Sequence, residues 1–504
     1  MSFLRIVLAY AFVCMICLSA KAFAADFTVN LTTDPDVTPV VDGVCDIDSQ
    51  SPGEQCTLRE AVAEAGALSS NDRVLFNLPA GSAIVLKNGM RLNDIFFRGA
   101  LEIVGTGANN LTIDGGPGTN LIFFITNAKV TISGVTLTGG NGTDPNSSGF
   151  GGAIRVEGGE LKLDSVHVTG NSATADGGGV YFGSGTHLVV NSTFSGNTSG
   201  QICGGLSGNN VTIINSTISD NTAGASGGGL CIRGNSTLRN VTVTNNTAGD
   251  NIGGLRHDSG TLDLGNTIVA GNAAPRFPEI SSTAADTFTS TGGNLIGDSP
   301  GDSANTERPI TYHPTDILDT NPILGTLRDN GGPTPTHALL LGSPAIDAGL
   351  NSNAVDPSTG VPLTTDQRGP NFPRLLDGNS DGTTVVDIGA YETVSSPPAA
   401  VKVLGLVATS SGMSIPRAYV TITNSRGQVW TSLTNGFGYY LFEGLLTGET
   451  YTFTVTAKGL KFSPRQIVLN DELTDLDFVP DMQPVKPVLQ LNLNRLPSRD
   501  RARF

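Results

Sequence analysis

The chain has 504 residues, 64 of them glycine, with 38% hydrophobic and 15% charged side chains and 29 basic residues against 45 acidic ones. That length accommodates two to four domains, and the glycine content with low charge fits an all-β repeat protein better than an enzyme built of helices and parallel sheet. General disorder is excluded by the apolar fraction, and the net charge of -16 argues against nucleic acid or an anionic membrane as partner.

The first residues, "MSFLRIVLAYAFVCMICLSAKAFAA", carry Arg5, an apolar stretch from Ile6 to Leu18, and Ala-Phe-Ala ending at Ala24. This predicts a secretory signal peptide over residues 1–24, too short for a stable membrane span, and hence an exported protein, extracellular or at the cell surface. Removing it leaves Cys45, Cys56, Cys203 and Cys231. In an oxidising compartment Cys45 and Cys56, which close the loop "VCDIDSQSPGEQC", are the expected structural disulfide. Cys203 lies three residues before the apolar repeat marker Leu206, whereas Cys231 lies one after Leu230, so a bridge between them requires distortion and their pairing stays open. No cysteine and histidine set has zinc-ligand spacing.

Residues 26–73 contain "CTLREAVAEAG", in which Leu58, Ala61, Val62 and Ala65 share one face of a short helix. Such a helix would cover the open apolar end of a solenoid. The phrase resembles the CSLREA domain, with Thr57 in place of the serine, and that resemblance implies a bacterial, exported β-helix protein.

Between residues 74 and 272 one phrase recurs: "GGAI", "GGGV", "CGGL", "GGGL" and "IGGL" end at Ile154, Val180, Leu206, Leu230 and Leu255, in steps of 26, 26, 24 and 25 residues. A fixed period of this length marks a stacked solenoid, and period-2 alternation without a helical stripe makes its coils strands. Two asparagine series share the period: Asn171, Asn197, Asn221, Asn246 and Asn272, and six residues earlier Asn191, Asn215, Asn240 and Asn266, with Ser165 in the first coil. Stacked about 4.8 Å apart, their amides can donate to one neighbour and accept from the other, and asparagine tolerates the left-handed backbone of a tight turn. The expectation is a parallel β-helix, which resembles the right-handed β-helices of the pectate-lyase-like superfamily.

That superfamily contains enzymes that cleave acidic polysaccharides, so its chemistry has to be sought in the residues. A lyase needs a cation on several carboxylates and a basic side chain near the α-proton; a hydrolase needs paired carboxylates. The position after each apolar marker gives an outward stripe of Arg155, Tyr181, Ser207, Cys231 and Arg256, and two residues further come Glu157, Gly183, Asn209, Arg233 and Asp258. No acids stand on adjacent coils of one stripe, and no polygalacturonase-type "NTD", "DD" and "RIK" set occurs. Arg155, Arg233, Arg256 and His257 therefore read as solvated surface, and no catalytic or cofactor-binding residue is assigned. Binding to a polysaccharide or a cell-surface protein remains open, although the one tryptophan, Trp430, lies outside the solenoid.

Residues 273–394 are less regular and contain "GGNLIGD", "NPILGTLRDNGGPTPTHALLLGSPAIDAG", "TDQRGPNFPR" and "DIGAYE". These phrases resemble the family called choice-of-anchor Q, which implies a surface or secreted protein with a C-terminal attachment signal; none follows here. Within them Asp377, Asn379 and Asp381 of "DGNSDG" match the first half of a Ca²⁺ loop, although the twelfth position is Ile388, with Asp387 beside it. The competing reading is a polar turn that bonds its own backbone. Residues 395–400 read as a linker. Residues 401–480, with turns at Gly427, Gly436, Gly438 and Gly448, read as a small β-sandwich resembling the seven-stranded carboxypeptidase regulatory-like domain, which implies a spacer or binding module. Residues 481–504 read as a disordered basic tail. The whole is expected to be a monomeric, non-enzymatic exported scaffold; the alternative is a polysaccharide lyase or glycoside hydrolase with divergent active residues.

Overall fold

A computed structural model describes residues 24–481, except 36–38, 49, 51–52, 68–70, 88–99, 119–120, 143–147, 283–287, 300–309, 395–399, 425–426 and 470. The expected signal peptide, linker and most of the expected tail lie outside the described residues. The chain divides after Ser395 into two compact units.

The first unit is an all-β, right-handed parallel solenoid. Its strands pair in parallel with the equivalent strand one coil away and form three sheets, the first starting at Asp26, the second at Ser82, and the third running from Phe123 to Ser282. Inward positions form apolar ladders: Leu163, Val189, Ile213, Leu238 and Leu264 in the first sheet, and Val168, Phe194, Ile218, Val243 and Val269 in the second. Ile154, Val180, Leu206, Leu230, Leu255 and Ile280 form the third. All are essentially inaccessible to solvent, and each such side chain contributes about 1.5–3 kcal/mol of burial. A fourth, minor ladder joins Ser172–Ala173, Thr198–Ser199, Thr222–Ala223 and Thr247–Ala248.

The solenoid is longer than the 74–272 that the repeat marks. Asp26–Val29 already pairs with Asp72–Phe76, and at the far end Leu295–Ile296 pairs with Ile317–Leu318. The outer coils escape the periodicity because the first carries a long insertion and the last, although it keeps a corner at Gly292, Gly293 and Asn294, lacks the glycine phrase that precedes the apolar marker.

That insertion holds a helix, α1 (Leu58–Ala67), whose Leu58, Ala61, Val62 and Ala65 are buried in one cluster with Phe27, Val29 and Val74 of the first coils. Each letter of "CTLREA" has a task. Cys56 is disulfide-bonded to Cys45, with Cα atoms 4.9 Å apart. Thr57 accepts the Glu60 N–H at 3.3 Å and so caps the helix. Arg59 pairs with Asp34 at 3.1 Å. Glu60 and Glu64 are buried and accept backbone N–H groups of Val40 at 3.2 Å, Asp42 at 2.8 Å and Gly43 at 2.9 Å, tying the preceding loop to the cap. Among the described residues no helix is long and apolar enough to cross a membrane.

The second unit is antiparallel. Ala400–Leu406 pairs with Tyr439–Leu446, and Tyr419–Asn424 sits between Val429–Leu433 and Thr450–Thr456, which in turn pairs with Arg465–Val468. Its core gathers Val403, Ile422, Tyr440, Phe442, Phe453 and Phe478. The described residues form six strands; the segment after them runs beside Ala400–Leu406, with isolated bridges from Leu473 and Phe478 to Val403 and Val407 and hydrogen bonds from Leu476 N–H to Leu404 O at 3.2 Å and from Tyr440 OH to Leu476 O at 2.6 Å.

Candidate functional site

The outward side of the third sheet carries the stripe in strict register: Arg155 beside Tyr181, Tyr181 beside Ser207, Ser207 beside Cys231 and Cys231 beside Arg256. The expectation of loosely solvated side chains fails here. The Arg155 side chain is 12% exposed, lying over the rings of Phe124 and Phe150 at 5.4 and 5.6 Å and on Glu157 at 2.5 Å. Phe150 meets Tyr181 with ring centroids 4.8 Å apart, which extends the aromatic surface to the next coil. His257 is not on this face at all. It alternates inward between Arg256 and Asp258, is fully buried, and bonds Ser282 Oγ at 3.0 Å.

Further along, Arg233 binds Ser207 Oγ at 2.9 Å and lies between Asp176 at 3.4 Å and Asp258 at 3.1 Å, while Arg256 reaches Asp258 at 2.6 Å. Gly183 and Asn209 line the same row and are half-buried. Burial pushes the Asp176 carboxyl above the usual carboxylate range, against the pull of Arg233. The acids Glu157, Asp176 and Asp258 are thus each neutralised by an arginine of the same face. This yields a half-buried strip of rings and guanidinium groups.

Cys231, within the stripe, bonds Cys203 of the preceding coil, with Cα atoms 5.4 Å apart. The distortion expected from their offset is absorbed at one corner. Cys203 adopts a left-handed φ of +61°, and its counterpart one coil on is Gly227, where a Cβ would stand 2.4 Å from Cys231 Sγ. The missing side chain at Gly227 leaves the passage through which the sulfur reaches back one coil.

The two asparagine series divide their labour. In the first, each Oδ1 accepts both the backbone N–H and the Nδ2 of the preceding rung: Asn171 on Asn197, Asn197 on Asn221, Asn221 on Asn246 and Asn246 on Asn272, all at 2.9–3.1 Å. The left-handed residue is the one just before, as at Gly170, Gly196, Asp220, Asn245 and Gly271. In the second series the asparagines themselves are left-handed, with Ser165, Asn191, Asn215, Asn240 and Asn266 at φ between +45° and +57°. There the one rung-to-rung amide bond runs from Asn266 to Asn240 at 3.1 Å. Sequence reasoning missed a third ladder beside it, of Ser192, Ser216 and Thr267, whose hydroxyls accept the N–H groups of Val166, Ser192 and Val241. Its hydroxyl residues directly follow the left-handed corner, which is the signal that could have revealed it.

The irregular residues after the last coil fold back over the outer side of the second sheet. Gln367 spans two coils, donating to Thr193 Oγ1 at 2.8 Å and accepting from Thr217 Oγ1 at 2.6 Å. His337 bonds Ser219 at 2.9 Å, Ala390 N–H reaches Thr242 at 3.0 Å, and Asn266 bonds Leu350. The fully buried Arg374 donates to Asn240 Oδ1 at 2.9 Å and to the carbonyls of Asp387 and Gly389. Glu392 stands 3.9 Å from its guanidinium; burial beside Asp387 pushes the Glu392 carboxyl up to about 8 and raises Asp387 as well. Arg368 is clamped by Asp366 and lies 4.0 and 3.8 Å from the rings of Phe372 and Tyr391. The charged phrases "TDQRGPNFPR" and "DIGAYE" are therefore a buried fastening, inaccessible to substrate.

Asp377, Asn379 and Asp381 do come together, as a closed turn. Both Asp377 oxygens accept N–H groups, of Asp381 at 3.1 Å and Gly382 at 2.9 Å; Asn379 Oδ1 accepts the Asp381 N–H at 2.8 Å; and Asp381 Oδ1 accepts that of Thr383 at 2.8 Å. The ligand oxygens point at their own backbone, so this donor set does not fit a Ca²⁺ ion as arranged, and among the described residues no three His, Cys, Asp or Glu side chains are grouped to hold a metal.

Residues 99–274 match the family described as the right handed beta helix region, and residues 402–479 match the carboxypeptidase regulatory-like domain. No curated protein matches the chain.

Proposed function

We propose that the protein is a non-catalytic, exported β-helix scaffold of the pectate-lyase-like superfamily that holds an extracellular polysaccharide or a cell-surface partner on the outward face of its third sheet. The observation that carries this reading is the strip itself: Phe124, Phe150 and Tyr181 in succession with Arg155, and acids already paired with arginines. Aromatic rings offer apolar faces to sugar rings, the guanidinium groups offer fixed donors, and acids so paired are poor general bases. In this reading residues 26–73 and 273–394 are the cap and extension of bacterial proteins of the CSLREA and choice-of-anchor Q kind, which accords with the fastening roles of their phrases.

The test exposes residues 25–504 to acidic and neutral polysaccharides and follows binding and product release together. Binding without products is the expected result, weakened about tenfold by Tyr181→Ala and by Arg155→Ala, a loss of ~1.4 kcal/mol. Release of unsaturated products or reducing ends overturns it. One feature favours the opposite reading: Asp176 is 5% exposed with a raised carboxyl pKa beside Arg233. Were products formed, Asp176→Asn should abolish them.

A further inference from the structure

The asparagine ladder has to end somewhere, and it ends on a carboxylate. Each rung passes a backbone N–H and an Nδ2–H to the next coil, so the last rung is left with donors and no asparagine to receive them. Glu279 takes that place: Oε1 accepts the Gly271 N–H at 2.9 Å, and Oε2 accepts Asn272 Nδ2 at 2.7 Å and the Asn272 N–H at 3.3 Å. A glutamine or asparagine would have served as acceptor, so the charge asks for a separate reason.

Four other buried acids of this unit have an arginine: Asp34 has Arg59, Asp176 has Arg233, Asp366 has Arg368, and Glu392 has Arg374, while Glu60 and Glu64 of α1 are held by backbone N–H groups of the preceding loop. Glu279 is 4% exposed, and no lysine, arginine or histidine pairs with it among the described residues; the charged group acting on it is Asp298, of like sign. Burial accordingly lifts its carboxyl to about 7.

Glu279 also lines a cleft of about 340 Å³, open to solvent, where the start of the extension crosses the end of the second sheet. Thr244, Asn245 and Asn321 supply polar groups to this cleft, and Pro322 and Leu324 form an apolar wall. A Cβ at Gly297, another lining residue, would stand 3.0 Å from Glu279 Oε1, so glycine there keeps the carboxylate approachable. An ammonium group needs three acceptors and one compensating charge, and a carboxylate with a hydroxyl and amide carbonyls around it meets both needs. The volume matches the lower end of small-molecule sites.

We propose that this cleft binds the primary ammonium group of a small ligand, with Glu279 as its counter-ion. An amino sugar and a simple alkylamine share that chemistry, and the test separates them. The probes are glucosamine, n-butylammonium, glucose and n-butanol, each titrated calorimetrically into residues 25–504. Butylammonium is expected to bind about tenfold more tightly than butanol, and glucosamine about tenfold more tightly than glucose, as for a desolvated charge-assisted pair. Near pH 7 binding should release a proton from Glu279, read as a dependence of the apparent enthalpy on buffer. Glu279→Gln should remove the preference for the ammonium probes. Because that variant also disturbs the end of the ladder, Leu324→Trp supplies a second arm: it fills the cleft from the wall, leaves the ladder intact, and should block both ammonium probes at unchanged Tm. Equal binding of charged and neutral probes, no binding of either ammonium probe, or undiminished binding by Leu324→Trp each overturns the proposal. A preference for glucosamine over butylammonium identifies an amino sugar, and the reverse identifies an alkylamine. The polysaccharide assays on the third-sheet face fail or succeed independently of this result.

Discussion

Asn221 and Asn191 are the same residue type in the same repeat, and they should fail differently. Asn221 is fully buried; its Nδ2 donates to Phe194 O, Ser219 O and Asn246 Oδ1, and its Oδ1 receives two donors from Asn197. Asn221→Ala strands several of these groups without water, at about 1–3 kcal/mol for each left unsatisfied. Asn191 is half-buried and matters chiefly for its left-handed φ of +52°, so Asn191→Ala should cost only about 1–2 kcal/mol. Urea unfolding of the two variants checks the order, with Asn221→Ala the more destabilised by at least ~1 kcal/mol. Glu392 offers a second test at this scale. Two carboxyls, Glu392 and Asp387, share one guanidinium, that of Arg374, so the cluster is neutral when one proton stays bound. The folded-state pKa of about 8 lies above the ordinary 4.5, so the native state binds the proton more tightly than the unfolded chain. The stability this contributes is whole below about pH 4.5 and is lost as pH rises through 8. Denaturation midpoints should therefore fall between pH 5 and 8, and Glu392→Gln, which mimics the protonated acid, should flatten that slope.

At the scale of elements, the extension explains why the second sheet changes character along the solenoid. Outward Thr136, Thr138, His167 and Thr169 are half-buried, whereas Thr193, Thr217, Ser219 and Thr242 on later coils are buried because the fold-back covers them. Deleting the Gln367 side chain with Gln367→Ala removes one clasp from two coils and leaves two threonine hydroxyls facing a gap, which should lower Tm by a few degrees, corresponding to about 2 kcal/mol. Limited proteolysis should then cut within residues 319–394 first. The turn at Asp377 belongs to this element and is closed by its own N–H groups. Adding Ca²⁺ or a chelator should shift Tm by less than about 1 °C, since an ion stabilises only by binding the folded state in preference to the unfolded one; a shift of several degrees would mean that the turn opens to take the ion.

For the whole molecule, what could be read in advance depended on how local each feature is. The coil period, the apolar ladders and the helical face of α1 were legible because each is set by residues within one repeat or one turn. The positions of the outward stripe followed from strand alternation, but its half-buried state did not, because Phe124 and Phe150 reach Arg155 from a neighbouring coil and a corner outside the stripe. The Cys203 and Cys231 bridge hid behind a corner whose folding only Gly227 betrays, and the fold-back hid because Thr193 and Gln367 meet across 174 residues with no shared period. Family resemblance had flagged the phrases around Gln367 and Arg374 without indicating that they are buried. The same distinction yields a prediction about the two units. The solenoid with its extension has its own core clusters, and the residues beyond 400 have another, so a fragment ending at residue 394 should fold without the antiparallel unit. Calorimetry of residues 25–504 should show two transitions, of which the fragment 25–394 reproduces one. If binding to the third-sheet strip is the protein's role, that fragment keeps it undiminished. Loss of polysaccharide binding on truncation, with the solenoid transition intact, would instead move the function to the second unit and leave the β-helix as a stalk.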